Sequence, residues 1–353
     1  MMRGKNGCVK QTDKAKHRNN LRSRSFIVTL ILFFGVIALL LSMALSISFG
    51  AADIQLKTVW ASVFQYNPDS TAHQIIRELR MPRAIAAALI GAFLAVSGSL
   101  MQGITRNPLA SPSIMGVTTG AAFTLAIAFA FFPGTSSVGF MIWSFIGAGL
   151  GTGFVLLIAS LAKGGLTPAK FALAGAAVTA FLNSLSTMIA IYFNVAQDIS
   201  FWYAGGVAGV SWVNIQILIP IAIIGLSLAF GLGRMITVVS LGDSVAIGLG
   251  QRTTIIKVLA AFAVLLLTGA AVSIAGMVGF VGLVTPHITR ALVGVDYRWI
   301  IPCSAILGAL LLVLADLVSR TINPPYETPI GAITALIGVP FFIYLARRER
   351  SGM

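Results

Sequence analysis

Three arginines, Arg80, Arg83 and Arg320, stand beside long uncharged stretches, and the chemistry they offer is recognition of carboxylates rather than catalysis. A guanidinium stays charged and grips a carboxylate with two parallel hydrogen bonds. Two destinies are open to such residues beside apolar segments. They can meet acidic groups of a partner, or they can snorkel or pair locally. Asp316 stands four residues before Arg320, which is good spacing for an ion pair within one helix. The other groups that invite chemistry lack companions. His287 lies in TPHITR, His17 in the basic N-terminal stretch and His73 in a polar connection, and no HExxH is present. His287 therefore reads as a structural or hydrogen-bonding residue. Cys8 and Cys303 are too differently placed to form a disulfide, and two isolated thiols make no metal site. No cofactor is called for. No G-x-x-x-x-G-K-[ST] occurs, and GLGQRTT at 248–254 lacks the lysine that would reach phosphates.

The segments that must position these residues are membrane spans. Apolar residues make up 57% of the 353-residue chain and charged ones 10%, where a soluble domain carries about a quarter. Ten spans are drawn at 26–49, 84–105, 114–132, 140–162, 171–193, 215–233, 255–275, 277–294, 300–319 and 330–346, leaving little material for a soluble catalytic domain. With the N-terminus inside, 19 of the 24 basic residues fall in inside segments. Only Lys57, Arg77, Arg80, Arg83 and Arg320 fall outside. That asymmetry obeys the positive-inside rule and places both termini in the cytoplasm. It also gives the net charge of +14 a reading that needs no nucleic acid. Residues 1–25 form a basic cytoplasmic tail, 26–346 one transmembrane domain and 347–353 a C-terminal tail. The apolar run from Phe26 to Phe49 exceeds a signal-peptide core and is expected to be retained.

Within the spans, Gly175, Thr179, Asn183, Ser186 and Thr187 recur on one helical face. They suit either the wall of a pathway or close helix packing. The aromatic residues Phe201, Trp202, Tyr203 and Trp212 read as an interfacial belt. Ala95-Val96-Ser97, Met101 and Gly103 recur as Ala271-Val272-Ser273, Met277 and Gly279, and each run ends in a loop with proline and arginine. The first copy runs inward and the second outward, which is the signature of an inverted repeat.

The run from Arg80 to Gly116 resembles the FecCD-type permeases of bacterial ABC importers for iron-siderophore complexes, haem and cobalamin. Their pattern is close to LRxPR, then G, then MQ, then NPLAxPxxLG, with Met115 here in place of the usual Leu. Leu241, Gly242, Asp243, Ala246, Leu249 and Gly250 match LGDxxAxxLG, and VGLVTPHITR matches a third pattern. The resemblance runs from Asp53 to Leu345. It implies an all-α polytopic membrane protein of the type II ABC importer permease fold, with one helix outside each repeat unit, in the bacterial cytoplasmic membrane. Arg80, Arg83 and Arg320 would then meet acidic residues on the two lobes of an extracytoplasmic substrate-binding lipoprotein or periplasmic binding protein. The segment around Asp243 would sit in a cleft of a separate ABC ATPase subunit, so that this chain is itself no enzyme. Residues 166–170 would lie near the inner gate. A second permease chain, identical or not, would complete the pathway for a ferric siderophore, with haem and cobalamin as alternatives. A proton-coupled secondary transporter would need an acid at depth, and Asp316 is the sole candidate. An intramembrane protease would need paired catalytic groups, which are not visible.

Overall fold

The computed structural model describes residues 5–49, 56–161, 168–324 and 326–350, and side chains for 26–49, 57–161, 170–324, 326–345 and 347. Long apolar runs without internal charge leave the backbone no partner but itself, and the chain folds accordingly into helices. In order these are α1 (Lys5–Ser48), α2 (Leu56–Phe64), α3 (Thr71–Gln74), α4 (Met81–Thr105), α5 (Val117–Phe131), α6 (Ser137–Leu161), α7 (Pro168–Tyr192), α8 (Ala196–Ala204), α9 (Trp212–Ser240), α10 (Asp243–Gly248), α11 (Thr253–Ala275), α12 (Val281–Val293), α13 (Tyr297–Thr321) and α14 (Ile330–Arg350). A π-helical turn, Ile75–Arg80, runs α3 into α4, and a 3-10 turn, Pro112–Met115, precedes α5.

Among the described residues, seven segments are long and apolar enough to cross a membrane: Phe26–Ser48, Thr71–Thr105, Ser137–Leu161, Lys170–Tyr192, Trp212–Ser240, Thr253–Ala275 and Tyr297–Thr321. Two shorter apolar helices, Val117–Phe131 and Ile330–Leu345, stand where further spans are expected. The span drawn at 277–294 needs correction. Gly276 to Phe280 are not helical, and α12 has 13 residues, about 20 Å at 1.5 Å per residue against a hydrocarbon core of about 30 Å. The break has a local cause. Gly276 (φ 65°) and Phe280 (φ 65°) both adopt left-handed conformations, and a Cβ at Gly276 would run into the Trp202 carbonyl. Non-helical backbone at this depth is tolerable only when protein covers it. The loop after α8 does so, with Gly206 N–H donating to Ala275 O at 2.9 Å.

The two echoing halves do not break at the same point of their shared register, since Met101 and Gly103 lie within α4 whereas Met277 and Gly279 lie in the non-helical stretch before α12. After α4 come the loop at 106–111, the 3-10 turn and the short α5, whereas after α11 come residues 276–280 and the short α12. Packing is exchanged between the halves. The first helix of one half, α4, lies on α12 and α13, and the first helix of the other, α11, lies on α5 and α6. At the centre is α4, the most buried of the long helices. Small residues let it approach its neighbours at backbone distance. A Cβ at Gly91 would strike the Gly308 carbonyl, and one at Gly98 would strike the Gly282 carbonyl. In a membrane such small-residue crossings supply dispersion that lipid cannot match.

Candidate functional site

At one end of the bundle the three arginines gather, though none presents a free guanidinium. Arg80 Nη1 donates to the Ile47 and Ser48 carbonyls, both at 2.7 Å. Arg320 Nη2 donates to Ser46 O at 3.0 Å and to Ser46 Oγ at 2.6 Å. The last carbonyls of a helix have no intrahelical partner and carry the negative end of its dipole. Two arginines therefore cap the C-terminus of α1. The third, Arg83, is a bridge. Its Nε and Nη2 donate to Asp316 Oδ1 at 2.9 and 2.8 Å, while Nη1 and Nη2 donate to Glu327 Oε1 and Oε2 at 2.7 and 3.0 Å. Asp316 Oδ2 lies 3.0 Å from Arg320 Nη2, a charge contact rather than a well-aligned hydrogen bond. Arg80, Arg83 and Arg320 are 7%, 8% and 9% exposed.

The local pair of Asp316 with Arg320, read from their spacing, is thus present. The pairing of Arg83 with Asp316 and Glu327 and the capping of α1 are additional, and nothing in local spacing marks them. Asp316 is wholly buried between two arginines.

The opposite end of α4, about 37 Å away at 1.5 Å per residue, carries Arg106 in a left-handed conformation (φ 53°) that ends the helix. Arg106 Nη2 lies 4.0 Å from Asp243 Oδ2, and Lys257 Nζ of α11 donates to the same oxygen at 2.7 Å. Asp243 is not the N-cap of α10. It is the first residue of α10, after Gly242 (φ 127°), and its side chain makes no cap hydrogen bond. The carboxylate is used instead to tie α10 to α11 and to the end of α4. Gly242 and Gly250 (φ 79°) turn the chain into and out of this segment. Ala246 is buried against the bundle, whereas Leu241 and Leu249 are 65% and 67% exposed and Val245 and Ile247 are exposed with them. A short helix gripped by two cations and bearing a bare apolar crest is built to be covered. Beside it lies a cavity of about 480 Å³ lined by residues of α4, α6, α7 and α11, with Asp243 and Lys257 at its edge.

The same end holds a second polar clamp that sequence reading missed. Arg290 of α12 donates through Nη2 to Gln102 Oε1 of α4 and to the Tyr297 hydroxyl of α13, both at 3.0 Å. Next to it Asp296 accepts from Arg298 and from the Thr237 hydroxyl. Burial raises the Asp296 pKa, but the hydrogen bonds and charge of Arg298, with Thr237, outweigh it and hold the carboxyl below its usual range.

The polar residues of α7 do not share one environment. Thr179 Oγ1 faces Thr119 Oγ1 at 3.5 Å, Gly175 abuts the Ile114 carbonyl, and Ser186 is buried with its hydroxyl donating to Leu182 O at 2.8 Å. Asn183 and Thr187, beside them on the same face, are exposed. Residues 166 and 167 and the side chains of 168 and 169 lie outside the described part of the chain, as does the Cys8 side chain; Cys303 is buried. Phe201 is exposed, and Trp212 Nε1 donates to Arg77 O at 2.9 Å. Burial raises the Tyr203 pKa. His287 packs edge-on against Phe341. Among the described residues no group of three His, Cys, Asp or Glu could hold a metal ion.

A helical bundle with several membrane-length spans, a charged cluster at one end and a gripped helix at the other is the architecture of a multi-pass membrane protein. The chain belongs to the FecCD transport family, whose pattern it matches over residues 38–348. It is 62% identical over 331 residues to the iron(3+)-hydroxamate import system permease protein FhuB of Bacillus subtilis, covering 94% of this chain and 86% of the relative. It is 48% identical over 320 residues to the iron-uptake system permease protein FeuB of the same organism, covering 91% and 96%. The cobalamin import system permease protein BtuC of Halobacterium salinarum is 37% identical over 296 residues, covering 83% and 78%. Among solved structures, an inward-facing conformation assigned to the metal-chelate type of ABC transporter superposes with a TM-score of 0.80 at 28% identity, covering 91% of this chain and 99% of that one. Permease subunits of this family are not themselves enzymes, and this chain is an ABC importer permease.

Proposed function

We propose that this chain carries ferric siderophores, of the hydroxamate class first, across the cytoplasmic membrane with both termini in the cytoplasm. The observation that carries the substrate reading is the 62% identity over nearly the whole chain to a permease named for iron(3+)-hydroxamate import, against 37% to one named for cobalamin. The Arg83 end of the bundle is then the outer end. An extracytoplasmic binding protein, as a lipoprotein or a periplasmic protein, docks there with acidic residues directed at Arg80, Arg83 and Arg320. At the inner end an ABC ATPase covers Leu241 and Leu249 and moves α10. Gly242, Asp243, Ala246 and Gly250 hold that segment in shape. The exposed part of the polar face of α7, bearing Asn183 and Thr187, lines the pathway against a second permease chain. Thr179 and Ser186, which face their own chain, set the position of that wall.

The test is uptake of labelled ferric hydroxamates, haem and cobalamin in cells lacking this gene and in the same cells complemented with it. Loss and rescue for ferric hydroxamate alone supports the proposal. Loss and rescue for haem or cobalamin instead contradicts the substrate assignment.

A further inference from the structure

We infer that Glu327 is an internal occupant of Arg83 which the docking protein's carboxylate replaces, so that the chain restrains its own docking site. The inference rests on the docking role proposed for the arginine cluster and adds its regulation. The two acids that hold Arg83 are unequal. Asp316 takes the Nε–Nη2 edge, is wholly buried on α13 and also faces Arg320. Glu327 takes the Nη1–Nη2 edge, lies in the connection between α13 and α14, and its side chain is 45% exposed. One edge of the guanidinium is locked into the bundle, and the other is held by a group that water reaches.

Water competes for the Glu327 half of this pair, whereas Arg83 is buried and needs a carboxylate whichever acid supplies it. Exchanging one carboxylate for another in the same fork is therefore nearly neutral, and an incoming acid that brings a protein surface with it prevails. The connection itself need not unfold. Thr328 N–H donates to Ser319 O at 2.9 Å and Tyr326 N–H to Asn323 O at 2.8 Å, so the backbone is fastened on both sides of Glu327 and rotation of its side chain suffices.

The experiment uses the chain assembled with its ATPase and any partner permease in lipid nanodiscs. It measures the Kd of the binding protein that supports its uptake in cells, for wild type, Arg83→Glu, Glu327→Gln, Glu327→Asp and Asp69→Asn. The last removes an exposed acid that makes no ion pair with Arg83. Wild-type binding that is abolished in an Arg83→Glu variant which still assembles with its ATPase upholds the docking role. On that footing Glu327→Gln is expected to bind about fivefold tighter, as release of a half-exposed pair allows. Glu327→Asp, its carboxylate drawn one methylene back, falls between Gln and wild type, and Asp69→Asn stays unchanged. Should Glu327→Gln not assemble, the Asp variant alone carries the test in the same direction. Unchanged or weaker binding in the Glu327 variants overturns the inference and leaves docking intact. Equal tightening by Asp69→Asn overturns it as well, because net charge alone would then suffice. Undiminished binding by Arg83→Glu sinks the docking role and the inference together.

Discussion

Arg83 and Asp316, 233 residues apart in sequence, meet at 2.8 Å where α4 crosses α13. The contact closes a chain of charge that runs from Glu327 through Arg83 and Asp316 to Arg320, and from there to the end of α1. Two halves of the sequence are thereby fastened at the end of the bundle where docking is proposed.

Breaking that contact is expected to be costly. Asp316→Asn leaves two buried arginines facing each other without their shared counter-charge and should destabilise by about 3–5 kcal/mol. Arg83→Gln should cost less, because Asp316 keeps Arg320. The double variant should fall short of the sum. Thermal unfolding of the purified chain in detergent checks this, and strictly additive losses would show that the pair does not interact.

The crossings beneath the cluster make a contrast between glycines. Gly91→Val drives a side chain into the Gly308 carbonyl, and overpacking of this kind should cost about 1–3 kcal/mol or more. Gly149→Ala in α6 meets nothing within 4 Å and should be neutral or stabilising by up to about 1 kcal/mol. Expression level and melting temperature of the two variants decide it.

At the opposite end, Leu241→Asp and Leu249→Asp place charge on residues that touch little of their own chain. The fold should survive with less than about 0.5 kcal/mol of change, while association with the ATPase drops at least tenfold. Co-purification of the ATPase with each variant, beside a melting curve of the permease alone, separates lost assembly from lost folding.

Acid should loosen this same end through Asp296. Its pKa is depressed in the folded chain, so its contribution is complete above the ordinary aspartate value of about 3.9 and is lost as pH falls through the lowered folded value. The slope of melting temperature against pH below about pH 4 should be shallower in Asp296→Asn than in wild type. Equal slopes would remove Asp296 from the account.

Much of the architecture was legible because hydropathy reports which segments need a membrane, and because Leu241, Gly242, Asp243, Ala246, Leu249 and Gly250 stand at the spacing of a family pattern. The segment at 277–294 misled for a physical reason. Its composition is that of a span, but left-handed Gly276 and Phe280 prevent the helix from beginning before Val281. The roles of Arg80, Arg320 and Glu327 were hidden because they depend on which helix end lies beside which, a matter of packing rather than spacing. The α7 face divided for the same cause: α5 covers Thr179, Ser186 turns inward, and Asn183 and Thr187 stay bare. The echo of Ala-Val-Ser falls on α4 and α11, the first helix of each half, whose partners are exchanged, but its register does not carry further, since Met101 and Gly103 are helical and Met277 and Gly279 are not.

The most direct test of the central claim is transport in proteoliposomes that contain this chain with its ATPase and any partner permease, the binding protein outside and ATP inside. Uptake of an iron-labelled ferric hydroxamate that requires both ATP and the binding protein, and that is lost in Leu249→Asp, is the predicted result. Uptake driven by a proton gradient without ATP, or ATP-dependent uptake of cobalamin or haem with none of ferric hydroxamate, would contradict it.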